Sequence, residues 1–334
     1  MPRVSFLIPV RNAVQTLPAA IESALAQTVS ACEVIVVDDG SEDGTREYLR
    51  SLEHPRVRVF LRPARGIASA LNEGLSYCSG EFVARLDADD LAAPQRLELQ
   101  LPLFEDPSLA VVDGRMRWAS EVPEGMRLHA EWINSVLTHQ DFASCRFREC
   151  GVVHPAATIR RTVLDSVGGY HEGDFPEDFA LWLGIHAAGG RFRKLPEILV
   201  TMRDHPGRAT RQDPRYRRAA FRKVAERELA AQVLPGREHI VLWGAGVGGR
   251  PWLRFLRERG QAPKLLIDVA PRKIGSSRQG IAVRGPEAIR EEALDLLLVA
   301  VGRRDALALI RAAIQRLRPD LREGRDWFAL VCGK

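Results

Sequence analysis

Three acidic groups in this sequence stand at the ends of predicted secondary-structure elements. They are Asp38-Asp39, Asp87-Ala88-Asp89-Asp90 and Glu177-Asp178. The first follows an apolar run, and a carboxylate there can accept hydrogen bonds from a base or a ribose. The second also follows an apolar run, where hard carboxylate oxygens suit Mg²⁺ or Mn²⁺ carrying a diphosphate. Strand alternation predicts that Asp87 and Asp89 lie on the same side.

Each group also has a structural interpretation when it is taken alone. Asp38-Asp39 is compatible with a turn, the Asp87–Asp90 group with a plain loop, and Glu177-Asp178 with the N-terminus of a helix, where acidic residues are favoured. All three occur in order on one β/α domain without a phosphate loop. Their conjunction favours a functional site.

The elements that must position these groups alternate between strands and helices. Short apolar runs are typical of buried parallel strands, and the helical patterns between them predict a parallel sheet that binds its ligand at the carboxyl ends of the strands. The predicted fold class is α/β, a mostly parallel sheet flanked by helices. The predicted elements are strands Val4–Pro9, Glu33–Val37, Arg56–Leu61 and Glu81–Leu86, and helices Ala13–Gln27, Gly66–Tyr77 and Glu177–Ala188.

The second half of the sequence predicts another domain. The segment 118–153 shows no clear periodicity, and Arg191–Lys194 is predicted as a short strand. Pro214–Leu234 predicts one long basic helix, and a new strand begins at His239. We therefore predict a domain over 1–212, a basic helical linker over 213–236 and a small Rossmann-like α/β domain over 237–334.

Composition restricts the class of protein. The chain has 334 residues, of which 46% are hydrophobic and 27% charged, so it is neither disordered nor collagenous. Five cysteines, including Cys332, are few and odd in number, which favours reduced thiols. No apolar run approaches the length of a spanning helix, so a cytoplasmic location is expected.

The positive charge is concentrated in one stretch. The net charge is +5, whereas Arg203–Arg227 alone holds nine Lys or Arg against three Asp or Glu. A nucleic-acid-binding protein would spread its charge more widely, so none is expected as a partner. The stretch predicts a local anionic partner, either phosphate groups or an acidic membrane surface. A solvated helix face is the alternative.

Residues 1 to about 210 resemble the family 2 glycosyltransferases, inverting enzymes of the GT-A fold that use nucleotide sugars. The motifs that carry the resemblance are Ile8-Pro9-Val10-Arg11-Asn12, Val36-Val37-Asp38-Asp39-Gly40-Ser41, Arg65-Gly66-Ile67-Ala68, Leu86-Asp87-Ala88-Asp89-Asp90, Pro94-Gln95-Arg96-Leu97, His154-Pro155, Gly168-Gly169-Tyr170, Glu177-Asp178 and Arg203-Asp204-His205.

The resemblance implies a role for each candidate residue. Asp178 is the general base, Asp89 holds the metal, Mn²⁺ or Mg²⁺, and His205 is a further metal ligand or a phosphate contact. The nucleotide contacts are Pro9, Arg11, Asp38, Asp39, Arg65 and Asp87. Arg11 stands where the family often has an aromatic residue, which leaves the base open among uridine, guanosine and thymidine, with uridine the default.

A second glycine motif occurs in the C-terminal domain. Gly244-x-Gly246-x-x-Gly249 lies between a predicted strand and a helix, and Asp268 ends the next strand. In this context the motif predicts a nucleotide or nucleotide-sugar site, with Asp268 on the ribose. A docking or dimerisation module whose glycines only permit a tight turn fits equally well.

The sequence thus predicts a metal-dependent, inverting glycosyltransferase. It would transfer a sugar, with UDP-sugars favoured, to a hydroxyl on a saccharide or lipid-linked acceptor in cell-surface polysaccharide or glycoconjugate assembly. Peripheral association with the inner membrane face is predicted from the basic stretch. The alternatives are a nucleotidyltransferase and a nucleotide-sugar sensor without turnover.

Overall fold

A computed structural model describes residues 3–30 and 32–331, so that Cys332 lies outside the described residues. The chain divides into two compact units. The first unit contains the described residues up to Phe142, then Gly151–Gly173 and Glu177–Gln212. The second contains Ala143–Cys150, Asp174–Pro176 and the described residues from Asp213 onward, which include the predicted linker 213–236.

The first unit is built on one eight-stranded sheet. Its strands are β1 (Val4–Val10), β2 (Cys32–Asp39), β3 (Val57–Arg62), β4 (Phe82–Arg85), β5 (Leu91–Ala92), β6 (Leu109–Trp118), β7 (Thr158–Arg160) and β8 (Arg191–Met202). They lie in the order β3-β2-β1-β4-β7-β6-β8-β5. Strands β1 to β4 are parallel to one another. Strand β7 is antiparallel to both of its neighbours, and β5 is antiparallel to β8.

Helices cover both faces of the parallel half of this sheet. The helices as far as Gln212 are α1 (Leu17–Leu25), α2 (Thr45–Ser51), α3 (Ile67–Tyr77), α4 (Arg96–Gln100), α5 (Glu124–Ser135), α6 (His139–Cys145), α7 (Arg161–Ser166), α8 (Glu177–Ala187) and α9 (Ala209–Gln212), with 3₁₀ helices at Leu101–Glu105 and His154–Ala156. Residues of α1 and α2 pack on Phe6 and Ile8. Helix α3 packs on the other face, where a Cβ on Gly74 would lie 2.3 Å from Leu7 Cδ1, so a larger residue here would displace the Leu7 side chain. Strand β1, which lies beside β2, is thereby packed on both faces.

The predicted α/β class is confirmed, and the differences are local. The predicted short strand at 191–194 is a 12-residue strand, because β8 pairs along nearly the whole of β6. The predicted single helix Pro214–Leu234 is wrong at its start. Asp213 accepts a hydrogen bond from Arg215 N and closes a 3₁₀ turn at Pro214–Tyr216, after which Arg217 is extended and α10 (Arg218–Gln232) begins.

The second unit contains a six-stranded sheet. Its strands are β9 (Ile240–Trp243), β10 (Leu265–Ile267), β11 (Ser277–Arg278), β12 (Ile281–Arg284), β13 (Leu296–Val299) and β14 (Trp327–Ala329). Its remaining helices are α11 (Gly249–Glu258) and α12 (Arg304–Leu317), with a 3₁₀ helix at Pro286–Arg290. The order is β11-β12-β10-β9-β13-β14, and every neighbouring pair except β11–β12 is parallel. From β9 the chain adds strands first on one side and then on the other, which is the doubly wound pattern.

Candidate active site

The candidate residues of the first unit lie at the carboxyl edge of its parallel strands. Strand β1 lies between β2 and β4, so the residues after these three strands share one edge of the sheet. Pro9 lies beyond Leu7, the last β1 residue paired with β4, so its missing N–H breaks no ladder there. Arg11 and Arg65 are exposed at this edge. The arrangement can present two guanidinium groups to an anionic ligand.

The carboxylates of Asp38 and Asp39 are both buried, and each stabilises a different segment of the site. Asp38 is completely buried and accepts hydrogen bonds from Gly40 N and Ser41 N, and from Arg46 Nε at 2.6 Å. Asp38 therefore stabilises the turn at Gly40 and Ser41. Asp39 accepts hydrogen bonds from Arg65 N and Gly66 N, each at 2.8 Å, and so fixes the segment that carries Arg65. Its Oδ1 also lies 3.4 Å from Nε of the buried Arg62.

The Asp87–Asp90 group forms a turn and does not continue the strand. Strand β4 ends at Arg85, and Asp90 N donates to Asp87 O at 3.2 Å. The strand alternation used in the sequence prediction therefore does not apply. The turn brings one oxygen each of Asp87, Asp89 and Asp90 within 4.8 Å of one another. Asp90 was missing from the predicted site, although the acidic motif itself contained it.

Each carboxylate of this triad has a different environment. Burial acts to raise the pKa of Asp87, but the neighbouring cationic groups together lower it, chiefly Arg85, whose Nη2 lies 2.6 Å from Asp87 Oδ1, with Arg208 adding to the effect. Burial and the charge of Asp87 raise the pKa of Asp89, which contacts His205 Nε2 at 2.8 Å. Asp90 has its pKa raised by burial and by both neighbouring carboxylates.

The triad fits a divalent cation. Asp90 Oδ1 accepts a hydrogen bond from Arg203 N, whereas the buried Asp90 Oδ2 has no partner among the described residues. A buried carboxylate oxygen without a partner is costly, and a cation would satisfy it. Oxygen donors with one imidazole beside them suit Mg²⁺ or Mn²⁺. The two predicted metal ligands, Asp89 and His205, are brought together.

Asp178 lies in the first turn of α8 and is only partly exposed. Burial, the neighbouring Glu177 carboxylate and Asp87 raise its pKa to about 7, whereas the Phe179 N–H and Arg85 act to lower it. A carboxylate with a pKa near neutrality is suited to accept a proton and release it again. Arg85, which is buried, acts on both Asp87 and Asp178.

A hydrogen-bonded group beside these carboxylates was not assigned a role by the sequence. His154 Nε2 lies 2.9 Å from the Tyr170 hydroxyl, and burial and Arg85 lower the pKa of His154 to about 3, so the imidazole is neutral. Asn72 clamps Tyr170, donating to its carbonyl at 2.7 Å and accepting from its N–H at 2.8 Å. The asparagine lies 98 residues away in the sequence, and no local pattern indicates the contact.

In the second unit the three predicted glycines come together at the end of β9. A Cβ on Gly249 would lie 1.7 Å from Gly244 O, so the turn itself requires glycine at position 249. Asp268 accepts hydrogen bonds from Ala245 N at 3.2 Å and from Lys273 Nζ at 2.7 Å. The predicted ribose acceptor is thus already paired with a lysine that the sequence prediction missed.

A cavity of about 140 Å³ adjoins this turn. Its lining includes the three glycines and the arginines Arg250, Arg254 and Arg278. The turn requires glycine at position 249 for steric reasons alone, which fits a docking or dimerisation module. The arginines that line the cavity fit a site for an anionic ligand.

The family profile and the relatives of known sequence indicate the same family. The profile of the family described as Glycosyl transferase family 2 matches residues 5–168. The amylovoran biosynthesis glycosyltransferase AmsE of Erwinia amylovora is 30% identical over 197 residues, which are 57% of this chain and 71% of that protein. The Escherichia coli UDP-Glc:alpha-D-GlcNAc-diphosphoundecaprenol beta-1,3-glucosyltransferase WfgD is 29% identical, covering 54% of this chain and 69% of that protein.

A longer relative and a solved structure match in part. The chondroitin synthase of Pasteurella multocida is 41% identical over 115 residues, but this chain spans only 12% of its length. The structure of S. aureus TarS 1-349 in complex with UDP-GlcNAc has a TM-score of 0.53 at 18% identity, over 70% of this chain and 68% of that one. This likeness shows a shared fold.

Proposed function

The chain belongs to glycosyl transferase family 2 and is a glycosyltransferase, and from that premise we propose that it is a metal-dependent, inverting enzyme that uses a nucleotide-sugar donor. One observation carries the proposal: Asp178, with a pKa of about 7, lies within electrostatic range of the triad residue Asp87. A base and a metal-binding group at one edge of the sheet are what a single displacement at a sugar carbon needs.

Donor binding is assigned to the residues at the carboxyl ends of β1, β2 and β3. Arg11 and Arg65 contact the nucleotide or its diphosphate, Pro9 lines the edge, and Asp39 contacts the base or ribose. Asp38 accepts hydrogen bonds from its own turn and from Arg46 and supports the site from beneath. WfgD is named for a UDP-Glc donor, which supports a uridine nucleotide here.

Asp87, Asp89, Asp90 and His205 would hold the cation, Mn²⁺ or Mg²⁺. When bound, the cation neutralises negative charge on the departing nucleoside diphosphate. Asp178 accepts the proton of the acceptor hydroxyl as its oxygen bonds to the anomeric carbon. The carbon–oxygen bond to the diphosphate breaks, and its electron pair leaves with the nucleotide. One displacement inverts the configuration, so no nucleophilic residue is required.

Cell-surface polysaccharide or glycoconjugate assembly is the proposed setting. AmsE is named for amylovoran biosynthesis, and WfgD for an acceptor linked to diphosphoundecaprenol. A saccharide or lipid-linked hydroxyl acceptor is therefore proposed for this chain.

Membrane association of this chain would rest on the basic stretch alone. Among the described residues, none of the helices combines the length and the apolar character that crossing a bilayer requires. The structure pairs Arg215 with Asp213 and Arg222 with Glu226, which reduces the free positive charge on this stretch. Arg217 and Lys223 are exposed. The test is a double variant, Arg217→Ala and Lys223→Ala. If it binds anionic liposomes as well as the wild type does, the proposed membrane association through this stretch is wrong.

Titration calorimetry with UDP, GDP and dTDP, with and without Mn²⁺, tests the donor site. Transfer assays then compare Asp178→Asn with Asp165→Asn, an exposed aspartate of α7. We expect metal-dependent binding of one diphosphate, retained in Asp178→Asn while transfer is lost, and an active Asp165→Asn. Transfer by Asp178→Asn at the wild-type rate would contradict the proposed base. Binding without turnover by the wild type would instead favour the sensor alternative.

The C-terminal motif supports a second, separate proposal. The cationic lining of the cavity near Gly244, Gly246 and Gly249 supports an anionic ligand such as a nucleotide. Asp268 would reach a ribose only if Lys273 moved to the ligand's phosphates. If Lys273→Ala alters no nucleotide binding in the same titrations, the docking interpretation is favoured.

A further inference from the structure

A short segment after β8 returns to the acidic triad. Arg203 N donates to Asp90 Oδ1 at 3.1 Å, and His205 Nε2 lies 2.8 Å from Asp89 Oδ2. A turn closed by Arg208 N donating to His205 O at 3.2 Å then reverses the chain. The turn brings Arg208 to Trp118, the last residue of β6. The contacts of Arg203 with Asp90 and of His205 with Asp89 thus hold the segment of Arg208 beside the triad.

The guanidinium of Arg208 is held by an aromatic face. Its Cζ lies 5.1 Å from the centroid of the Trp118 ring, a cation–π geometry. Within the described part of the chain it forms no hydrogen bond or ion pair with an acidic side chain. Arg211, three residues further on, is paired with Asp204. Arg208 therefore keeps its N–H donors for a ligand, whereas Arg211 does not.

The charge of Arg208 reaches all three carboxylates. Burial raises the pKa of Asp89 and of Asp90, and Arg208 acts against this rise, as it also favours the charged form of Asp87. The three carboxylates would balance one divalent cation and the Arg85 guanidinium that pairs with Asp87, so the group would supply no net positive charge to a departing diphosphate, which is itself negative. A fixed guanidinium beside them offsets that charge and offers a planar donor pair that matches phosphate oxygens.

We propose that Arg208, held on the face of Trp118, contacts the diphosphate of the nucleotide donor and stabilises it as it leaves. This rests on the proposed function. The donor's carbon–oxygen electron pair passes to the diphosphate, and the Arg208 N–H groups donate to the oxygens that receive the charge. Stacking on Trp118 fixes the side chain before the donor binds, which lowers the entropy lost on binding.

The test measures binding of UDP and of uridine in the presence of Mn²⁺ by titration calorimetry. It compares the wild-type protein with Arg208→Ala, Arg208→Lys and the matched control Arg211→Ala. We expect UDP binding to weaken at least tenfold in Arg208→Ala and to recover only in part in Arg208→Lys, which cannot stack or donate as a planar pair. Binding of uridine should not change, and Arg211→Ala should resemble the wild type. The thermal midpoint without ligand checks that each variant is folded.

The outcomes distinguish failure of the role proposed for Arg208 from failure of the proposed function. If the wild type binds UDP and Arg208→Ala binds it equally well, the role of Arg208 is wrong while the donor site stands. If Arg208→Ala and Arg211→Ala weaken UDP binding by the same factor, the effect comes from the general positive charge of this segment, and the specific contact of Arg208 is wrong. If the wild type binds no nucleoside diphosphate, the proposed function and this inference both fail. Trp118→Leu gives a further check, since it should weaken UDP binding without removing a charge.

Discussion

We predict that Glu177 sets the pH at which the enzyme loses activity. Burial and the Glu177 carboxylate are the two largest causes that raise the pKa of Asp178 to about 7. With that pKa only about one Asp178 in ten is ionised at pH 6, so kcat should fall about tenfold between pH 8 and pH 6. Glu177→Gln removes a charge and nearly preserves the volume. The pKa of Asp178 should fall, and the variant should keep a larger share of its activity at pH 6.

The assay is kcat against pH at saturating donor, acceptor and Mn²⁺. Glu172→Gln is the control, because Glu172 is exposed on the same part of the chain. A thermal scan of each variant at both ends of the pH range excludes unfolding as the cause of lost activity. If the acidic limb of Glu177→Gln overlays that of the wild type or moves to higher pH, the electrostatic assignment is wrong.

Two further predictions concern positions that the packing fixes. Gly249→Ala should destabilise the second unit by at least about 2 kcal/mol, since its Cβ would lie 1.7 Å from Gly244 O, whereas Gly246→Ala meets only the end of a flexible lysine and should cost less than about 1 kcal/mol. Urea denaturation measures both, and equal costs would contradict the steric argument. Asn72→Ala removes both hydrogen bonds to Tyr170 and should cost about 1–2 kcal/mol. It should lower kcat and leave the Kd for UDP unchanged, and a change in that Kd alone would refute a role in positioning.

The first half of the fold was predictable because its strands pair with strands that are near in the sequence. Strands β1 to β4 follow one another through short helices, and buried parallel strands are apolar along their whole length. The predicted strand Glu33–Val37 lies within β2 (Cys32–Asp39), and the predicted helix Gly66–Tyr77 is α3 (Ile67–Tyr77). The acidic residues that follow these strands lie at one edge because parallel strands end together.

The second half depends on pairings that no local pattern indicates. Strand β6 pairs with β8 from Leu109↔Arg191 onward, across some eighty residues of intervening chain. Helices α5 and α6 lie in the segment 118–153, which shows no clear periodicity in its residues. Long-range contacts stabilise these elements more than local preference does.

Within the candidate site, residue types were easier to predict than partners. Asp87, Asp89 and His205 do come together, but the pairing of Asp38 with Arg46 and of Asp268 with Lys273 required coordinates. A sequence shows that a carboxylate is present. It does not show which of the many arginines and lysines in a basic chain the carboxylate meets.

The return of residues 203–208 to the acidic turn has a consequence for protein engineering. The family profile ends at residue 168, which makes that position a tempting boundary for a truncation or a chimera. A chain cut there would lack Asp178 and β8, and Asp90 and Asp89 would lose the donors supplied by Arg203 and His205. Chimeras between relatives should therefore exchange the segment 203–208 together with the Asp87–Asp90 turn, because the two segments contact each other directly and build one site.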